Sequence, residues 1–460
     1  MGIKGVWRNH RGIIIILSFF IAFSILFLSF YKDVWWDSSV YIGMGRYIFS
    51  SGSSGLWEES RPLVWPFLLG IGWLLDLDAV LFGRIMSIIF SVLALVMAYI
   101  IGTRLFSKRE GMIAAFFLAF SYTYFFFSAA MLTEIPSAFF ALLAFYFFIR
   151  EKYFLMGIFS GIAVITRFFQ LFIILAFFLA FLFCFFSKKG FYRKLMYFAF
   201  GFSLIAIPNI ILNYQLYGDI LMPIKVQLHL SRTTGWENYN EYWFYIAGLL
   251  KENFLFIFLV ALPFFFRKDY RFYALLLAPA IHLIAFSMVR QKEMRHALLA
   301  MPFLCLLLAY CLTQIYYKIR SKKIAIEAFY VLAAIFLLIT FISLKNALAY
   351  QQQANDEPLK YFQEYLKGKG GNIWITNPLY SLHSDSRVDG LLYYKSSHNL
   401  IRFLEENDAD IVLFNGCDME CPPADGLCAE SRKVLSKELL RMKSAYDKKV
   451  DSCRYRIFIS

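Results

Sequence analysis

The feature that most constrains this chain is a series of long apolar runs separated by short basic loops. The first run, residues 12–31, carries no charge and is about 20 residues long, enough to cross ~30 Å of hydrocarbon. Basic residues precede it at positions 4, 8 and 11, as in an uncleaved signal anchor. Hydrophobic residues make up 60% of the chain, above the roughly half found in soluble domains. The sequence therefore predicts an α-helical polytopic membrane protein.

Basic clusters between these runs predict how the helices cross the membrane. The clusters lie near residues 104–109, 150–152, 188–194, 267–271 and 318–323. Placing every cluster in the cytoplasm satisfies the positive-inside rule and puts the N-terminus inside and the C-terminus outside a cell membrane. This distribution of the net charge of +14 argues against nucleic acid as a partner. About eleven helices are expected, at 12–31, 80–103, 111–129, 135–150, 154–166, 168–187, 195–213, 244–266, 272–289, 297–317 and 324–343.

The composition changes near residue 350 to that of a soluble domain. Residues 1–349 are expected to form a transmembrane domain, with a first extracytoplasmic loop at 32–79. Residues 350–460 are expected to form a small extracytoplasmic α/β domain. There NIWITN, ADIVLF and RYRIFIS are typical of strands, and NLIRFLEEND and SRKVLSKELLRMKSAYDKK are typical of helices.

Four cysteines fall in this C-terminal domain: Cys417, Cys421, Cys428 and Cys453. On an oxidising side of the membrane they can form two disulfides, with three ways of pairing. A zinc site is the alternative, although the spacing C-x3-C-x6-C matches no common zinc finger.

Charged residues in the loops predicted to lie outside are the candidate functional groups. Asp37, in VWWDSSVYIGMGRYIF, either caps the helix that follows or acts as a general base, and it can do both. Arg61, in SRPLVWPFLLG, either binds phosphate or extends to lipid headgroups. Glu134, in MLTEIPSAFF, suits the first turn of a helix, and it is predicted to face the same compartment as Asp37.

The loop VRQKEMRHALLAMPFL holds Lys292, Glu293 and Arg295 between two apolar runs. Charges kept at the outer side, against the positive-inside tendency, indicate a function. Lys292 and Arg295 are candidate phosphate ligands with Glu293 as their partner, and a salt-bridged turn is the alternative. The acid pair of DLD at 76–78 either caps the next helix or binds a divalent metal.

Taken together, these segments resemble the GT-C superfamily of integral-membrane glycosyltransferases, above all protein O-mannosyltransferases (glycosyltransferase family 39) and lipid A aminoarabinose transferases. The likeness lies in WWDSSVYIGMGRYIFSSG, RPLVWP, LFGRIMSIIFSVLALVMAYIIGTRLFSKREGMIAAFFLAF and TEIPSAFFALLAFYFF. QKEMRHALLAMPFL is similar to the HKExRF-type loop of lipid-linked mannosyltransferases in the same superfamily. The chain departs from the pattern in its single acid at Asp37 and in Gln291, where histidine is usual.

The resemblance implies a hexosyltransferase, with mannose as the leading sugar. The sugar would move from a polyprenyl phosphate to a hydroxyl of a protein, lipid or glycan. The reaction would take place on the extracytoplasmic side, with inversion at the sugar. The resemblance also implies that residues 1–349 are catalytic and that no cofactor is required, with a divalent metal as the alternative. The implied roles are a general base at Asp37, an assisting acid at Glu134, donor-phosphate ligands at Arg61, Arg295 and Lys292, and supporting residues at Glu293, Arg84 and Arg167.

A transporter or flippase for lipids or glycans is the alternative function. Transporters usually show repeats and polar groups at the middle of the membrane. Here the apolar runs are nearly uncharged and no repeat is evident, with Arg167 as the main exception. Transfer chemistry is therefore the favoured prediction.

Overall fold

The computed structural model describes residues 3–186, 189–233, 242–289, 292–351, 357–392, 406–419 and 426–460. The chain divides into two compact units. The first, here called the helical unit, comprises Met1–Lys32, Arg84–Ile224 and Trp236–Gln352. The second, here called the mixed unit, comprises Asp33–Gly83, Lys225–Gly235 and Gln353–Ser460.

The α-helices are, in chain order, α1 (Ile3–Phe30), α2 (Trp36–Phe49), α3 (Val64–Leu74), α4 (Ala79–Leu105), α5 (Lys108–Phe120), α6 (Tyr122–Phe127), α7 (Glu134–Ile149), α8 (Tyr153–Thr166), α9 (Leu171–Phe185), α10 (Phe191–Tyr217), α11 (Met222–Thr233), α12 (Phe244–Glu252), α13 (Tyr270–Ser287), α14 (Met301–Lys318), α15 (Lys322–Gln351), α16 (Glu357–Leu366) and α17 (Gly426–Leu439). Short 3₁₀ helices include Phe168–Gln170, Phe254–Phe265, Met294–Leu299, Pro378–Ser381 and Gly416–Met419.

Among the described helices, five are long and apolar enough to cross a membrane: His10–Phe30, Ala79–Leu105, Phe191–Tyr217, Tyr270–Ser287 and Lys322–Ala349. The pair Phe244–Glu252 and Phe254–Phe265, which is bent by 111°, adds a sixth if it is one span. Each of the predicted helices overlaps a helix of the structure, but α7, α8 and others fall below this length. The fold is thus a multi-span helical one, and the count of eleven crossings stays a prediction.

The division into units differs from the predicted boundary near residue 350, which kept the first loop with the transmembrane part. Residues Asp33–Gly83 instead pack with the C-terminal residues. Val40 and Met44 of α2 are fully buried in one apolar core with Ile373 and Leu413 of the sheet. Burial of apolar side chains on both sides of this contact stabilises it.

The mixed unit contains a five-stranded sheet with the order β2-β1-β3-β5-β4. Its strands are β1 (Ile373–Ile375), β2 (Gly390–Leu391), β3 (Ile411–Asn415), β4 (Lys443–Val450) and β5 (Cys453–Ile459). β1 pairs in parallel with β2 and β3, and β5 runs antiparallel to both β3 and β4. The strands predicted in NIWITN, ADIVLF and RYRIFIS are confirmed. The helix predicted in NLIRFLEEND lies mostly outside the described residues.

The helix predicted from SRKVLSKELLRMKSAYDKK is wrong in its second half. α17 ends at Leu439, and Lys443–Val450 forms strand β4. A tight turn at 451–452 folds β4 back on β5, and Asp447 of β4 forms an ion pair with Arg454 of β5 at 2.6 Å. Cross-strand pairing therefore overrides a local pattern rich in helix-forming residues.

A disulfide joins Cys417 to Cys453, with their Cα atoms 5.4 Å apart. It links the segment after β3 to the start of β5. Cys421 and the side chain of Cys428, which were predicted to join the same framework, lie outside the described residues. Pairing between those two cysteines stays a prediction.

Arg46 fixes α2 to the segment around residues 381–384 inside the mixed unit. Its guanidinium group is part of a side chain that is only 5% exposed. It donates hydrogen bonds to the carbonyl oxygens of Ser381 at 3.3 Å and Leu382 at 2.9 Å, and to that of Ser384. Because α2 also carries Asp37, this contact positions a candidate catalytic residue.

His383 lies in the middle of the segment held by Arg46. Burial lowers the pKa of the His383 imidazole below its usual value of 6.5. The positive charges of Arg46 and Lys367 lower this pKa further, and the carboxylate of Asp78 opposes them. The neutral imidazole is therefore the form that the folded mixed unit favours.

Candidate functional site

Asp37 and Arg61 form an ion pair in the mixed unit. Nη2 of Arg61 lies 2.7 Å from Oδ1 of Asp37, and each side chain is 15% exposed. Asp37 lies in the first turn of α2, where a negative charge favours the helix dipole, but Trp35 occupies the N-cap position. The prediction that Asp37 caps this helix is therefore wrong by two residues, because the helix begins at Trp36.

A second carboxylate also holds Arg61, through its Nε atom. Nε of Arg61 lies 2.9 Å from Oε1 of Glu58, whose side chain is 1% exposed. Ser60 donates a hydrogen bond to the same oxygen at 2.6 Å, and the guanidinium group lies 5.4 Å from the centre of the Tyr41 ring. Arg61 is thus fixed by buried partners within its own loop. This contradicts the alternative in which it extends to lipid headgroups.

Glu134 is the centre of an ion cluster in the helical unit. Its side chain is 1% exposed at the start of α7. Nη2 of Arg167 lies 3.1 Å from Oε1 of Glu134, and Nε of Arg295 lies 3.6 Å from the same oxygen. Glu293 adds a second acid, with Oε2 at 2.6 Å from Nε of Arg295. The structure therefore joins four of the predicted site residues.

Three separate chain segments supply this cluster. Arg167 follows α8 in an extended conformation, with φ −154°, and its Nη1 donates to Oγ1 of Thr133 at 2.8 Å. Arg295 belongs to the 3₁₀ helix Met294–Leu299, which precedes α14. Neither oxygen of Glu134 accepts a well-aligned hydrogen bond within the described part of the chain. A buried carboxylate with spare accepting capacity suits a site that also receives a polar ligand.

Lys292 and Arg84 are two further residues that the sequence predicted to belong to the site. Lys292, 5% exposed, donates through Nζ to the carbonyl oxygen of Val289 at 2.8 Å. His296, which the sequence did not single out, has its Nδ1 3.3 Å from the hydroxyl of the buried Tyr245. The sequence feature that could have identified His296 is its position next to Arg295 in QKEMRH. Arg84 lies over the Tyr31 ring, 5.4 Å from its centre.

Of the two acids at 76–78, Asp78 performs the capping function that was one of the two alternatives considered. Oδ1 of Asp78 accepts a hydrogen bond from the backbone N–H of Leu81 at 2.7 Å, at the start of α4. Within the described residues, no group of three or more histidines, cysteines and acids could hold a metal ion. The absence of a cofactor requirement stays a prediction.

Comparisons with known proteins agree with this architecture. The model of the Alg9-like mannosyltransferase family matches residues 7–388. No curated protein matches the chain. Among solved structures, ArnT from Cupriavidus metallidurans bound to undecaprenyl phosphate is similar with a TM-score of 0.70 and 10% identity, over 98% of each chain.

Two further structures share the fold. The Archaeoglobus fulgidus oligosaccharyltransferase AglB, in complex with an inhibitory peptide and a dolichol-phosphate, matches 88% of this chain and 69% of its own at a TM-score of 0.61 and 13% identity. Arabinofuranosyltransferase AftD from Mycobacteria matches 96% of this chain and 39% of its own at a TM-score of 0.54 and 12% identity. The predicted GT-C resemblance and the predicted glycosyltransferase class are confirmed. Because the family match spans most of the chain, this membrane protein belongs to the Alg9-like mannosyltransferase family of GT-C glycosyltransferases.

Proposed function

We propose that this protein transfers mannose from a polyprenyl-phosphate donor to an acceptor hydroxyl, with inversion at the anomeric carbon. The family is one of mannosyltransferases, and the similar ArnT and AglB structures hold undecaprenyl phosphate and dolichol-phosphate. These matches support a lipid-phosphate donor, with a protein, lipid or glycan as the acceptor. The Cys417–Cys453 disulfide supports an extracytoplasmic position for the C-terminal residues, because disulfides persist in oxidising compartments.

Asp37 is the proposed general base, and its ion pair with Arg61 is the observation that carries the assignment. The carboxylate accepts the proton of the acceptor hydroxyl while the hydroxyl oxygen bonds to the anomeric carbon. The bond from that carbon to the donor oxygen breaks, and its electron pair stays with the phosphate. Arg61, predicted to bind phosphate, contacts Asp37 and Glu58 instead. Its proposed role is therefore to orient the base.

In the helical unit, Arg167 and Arg295 are the proposed ligands of the donor phosphate. Guanidinium groups bind phosphate oxygens through paired hydrogen bonds, and these bonds strengthen as the leaving group gains charge. Glu134 contacts both arginines and holds them next to each other. Its role in this proposal is to position the arginines, in place of the assisting acid expected from the sequence. Lys292, whose amino group is held by Val289, adds positive charge to the same loop.

The test is a transfer assay with the purified full chain in lipid nanodiscs and a radiolabelled polyprenyl-phosphate mannose. Asp37→Asn should lower kcat by about 10²–10⁴-fold, the range for loss of a general base. Asn keeps an acceptor for Arg61, so size-exclusion and melting behaviour should stay unchanged.

Asp76→Asn is the matched control, because Asp76 is an exposed acid of the same unit and its left-handed backbone suits asparagine. An Asp37→Asn variant as active as this control would remove the base assignment. Arg167→Gln should raise the KM for the donor and also lower kcat, because the bond to phosphate strengthens in the transition state. Efficient transfer of another sugar in place of mannose would refute the donor assignment.

A further inference from the structure

A basic cavity that is open to the surface lies at the end of α7 opposite to Glu134, in the helical unit. Its volume is about 410 Å³, and it is lined by Arg104, Ile149, Arg150, Glu151 and Arg271. The three arginines come from separate elements: the last turn of α4, the residue after α7, and the first turn of α13. Three guanidinium groups therefore converge on one cavity whose lining includes none of the candidate catalytic residues.

The single acid of the cavity is already engaged by other groups. Oε2 of Glu151 lies 3.5 Å from Nζ of Lys194, and its Oε1 accepts a hydrogen bond from the Tyr270 hydroxyl at 3.2 Å. In the part of the chain that the structure describes, no carboxylate lies within ion-pair distance of Arg104, Arg150 or Arg271. The cavity thus keeps an excess of positive charge.

Two of these arginines are held in place by aromatic rings. The guanidinium group of Arg104 lies 5.6 Å from the centre of the Tyr146 ring. Nε of Arg271 donates to the Tyr270 hydroxyl at 3.0 Å, and the group lies 5.2 Å from the centre of that ring. Cation–π contacts limit the motion of the side chains but leave N–H groups to donate. Arginines fixed in this way lose less conformational entropy when they bind an anion.

The positive-inside tendency explains why basic residues occur at these helix ends, but it does not explain their convergence. Other cations of the neighbouring loops make their contacts outside this cavity. Arg109 lies 4.4 Å from the centre of the Tyr316 ring, and Arg267 donates to the carbonyl oxygen of Leu105 at 3.1 Å. Lys322 donates to three backbone carbonyls. The arginines around the cavity differ because they face a shared space large enough for a ligand.

We propose that this cavity binds a phosphate group, supplied by the headgroup of an anionic phospholipid or by free phosphate. Arginine matches phosphate through paired hydrogen bonds, and basic pockets between transmembrane helices bind anionic headgroups. The tyrosine rings that hold the arginines suit the interface between membrane and water. The proposal is independent of the transfer reaction, because it uses none of the residues assigned to catalysis.

The test measures binding of lipids to the delipidated full chain in a neutral detergent by native mass spectrometry and calorimetry. Phosphatidylglycerol should bind, and phosphatidylcholine, whose headgroup has no net charge, should bind at least tenfold more weakly. Arg150→Gln and Arg271→Gln should each weaken phosphatidylglycerol binding about tenfold or more, as expected for the loss of one charge-assisted contact. Arg109→Gln is the matched control, because it removes the same charge outside the cavity.

Inorganic phosphate at millimolar concentration separates the two sources of the ligand. Displacement of the lipid by phosphate would assign the site to free phosphate, and failure to displace it would assign the site to the lipid headgroup. The proposal is overturned if Arg150→Gln and Arg271→Gln bind phosphatidylglycerol as tightly as Arg109→Gln. It is also overturned if phosphatidylcholine binds equally well. Arg150 is exposed, so its replacement should leave the fold intact, which unchanged melting would verify.

Discussion

Replacing Arg46 with methionine should destabilise the mixed unit by about 3 kcal/mol, because it removes the donors of buried carbonyl groups. The Arg46 side chain is 5% exposed and donates to the carbonyl oxygens of Ser381, Leu382 and Ser384. Methionine keeps much of the length and the apolar stem of arginine. The substitution therefore measures the contribution of the guanidinium group while leaving the packing of α2 largely unchanged.

The magnitude follows from which carbonyls lose a partner. The oxygen of Ser381 also accepts from the backbone N–H of Ser384 at 3.1 Å, so it stays hydrogen-bonded. The oxygens of Leu382 and Ser384 lose their donor, at about 1–3 kcal/mol each. Burying the charged guanidinium group of Arg46 itself costs free energy in the folded state, as its lowered pKa indicates, and this cost disappears in the variant. The two carbonyls together cost about 2–6 kcal/mol, and the removed burial cost offsets part of this, so the expected loss of stability is near 3 kcal/mol.

The measurement is the melting temperature of the purified full chain, read together with hydrogen exchange of the segment 378–386. A loss of about 3 kcal/mol corresponds to a decrease of roughly 6–12 °C for a unit of this size. Arg387→Met is the matched control. Arg387 is 53% exposed and pairs with Asp389 at 2.6 Å, and such exposed pairs contribute about 0–1 kcal/mol. Equal decreases in the two variants, with unchanged exchange at 378–386, would refute the reasoning.

Two further predictions concern the stability of the mixed unit. Replacing Cys417 and Cys453 together with serine should lower its free energy of unfolding by about 3–4 kcal/mol, because the disulfide closes a loop with a sequence separation of 36; a urea midpoint equal to that of the oxidised parent would contradict this. Burial lowers the pKa of His383 in the folded state, so the unfolded chain takes up a proton at a higher pH than the folded one does. The stability that neutral His383 contributes is therefore fully present above pH 6.5 and is lost as the pH falls from 6.5 towards the pKa of the folded state. His383→Gln should flatten the pH dependence of the melting temperature in that window, and an unchanged slope would exclude this residue as its source.

Much of the helical architecture could be predicted from the sequence, because long apolar runs leave few other ways to satisfy the backbone in a membrane. Runs of branched apolar residues likewise predicted β1, β3 and β5. The sequence KSAYDKKV offered no such signal, since it has few apolar residues and many helix formers. Its strand depends on pairing with β5, and that pairing is a property of the tertiary structure.

The candidate site was predictable in its residue types but only partly in its contacts. The predicted topology put Glu134, Arg167 and Arg295 on the same side of the membrane, and in the structure both arginines contact Glu134. Glu58 was missed, although its position three residues before Arg61 in the sequence was a local signal. The contact between Arg61 and Asp37 spans 24 residues and depends on the turn around Glu58, whose conformation a charge pattern does not specify.

Arg46 and Arg61 show why the partner of a buried arginine is hard to read from a sequence. Both lie in the segment between α1 and α4, and a guanidinium group can donate to either carboxylates or carbonyls. Arg61 pairs with Glu58, three residues before it, and with Asp37, 24 residues before it, whereas Arg46 donates to carbonyls that lie more than 330 residues away. Those carbonyls have no side-chain signature, since every residue carries one. The chemistry available to a buried arginine can therefore be inferred from its type, but its role as an anchor or as the partner of a base depends on the tertiary fold.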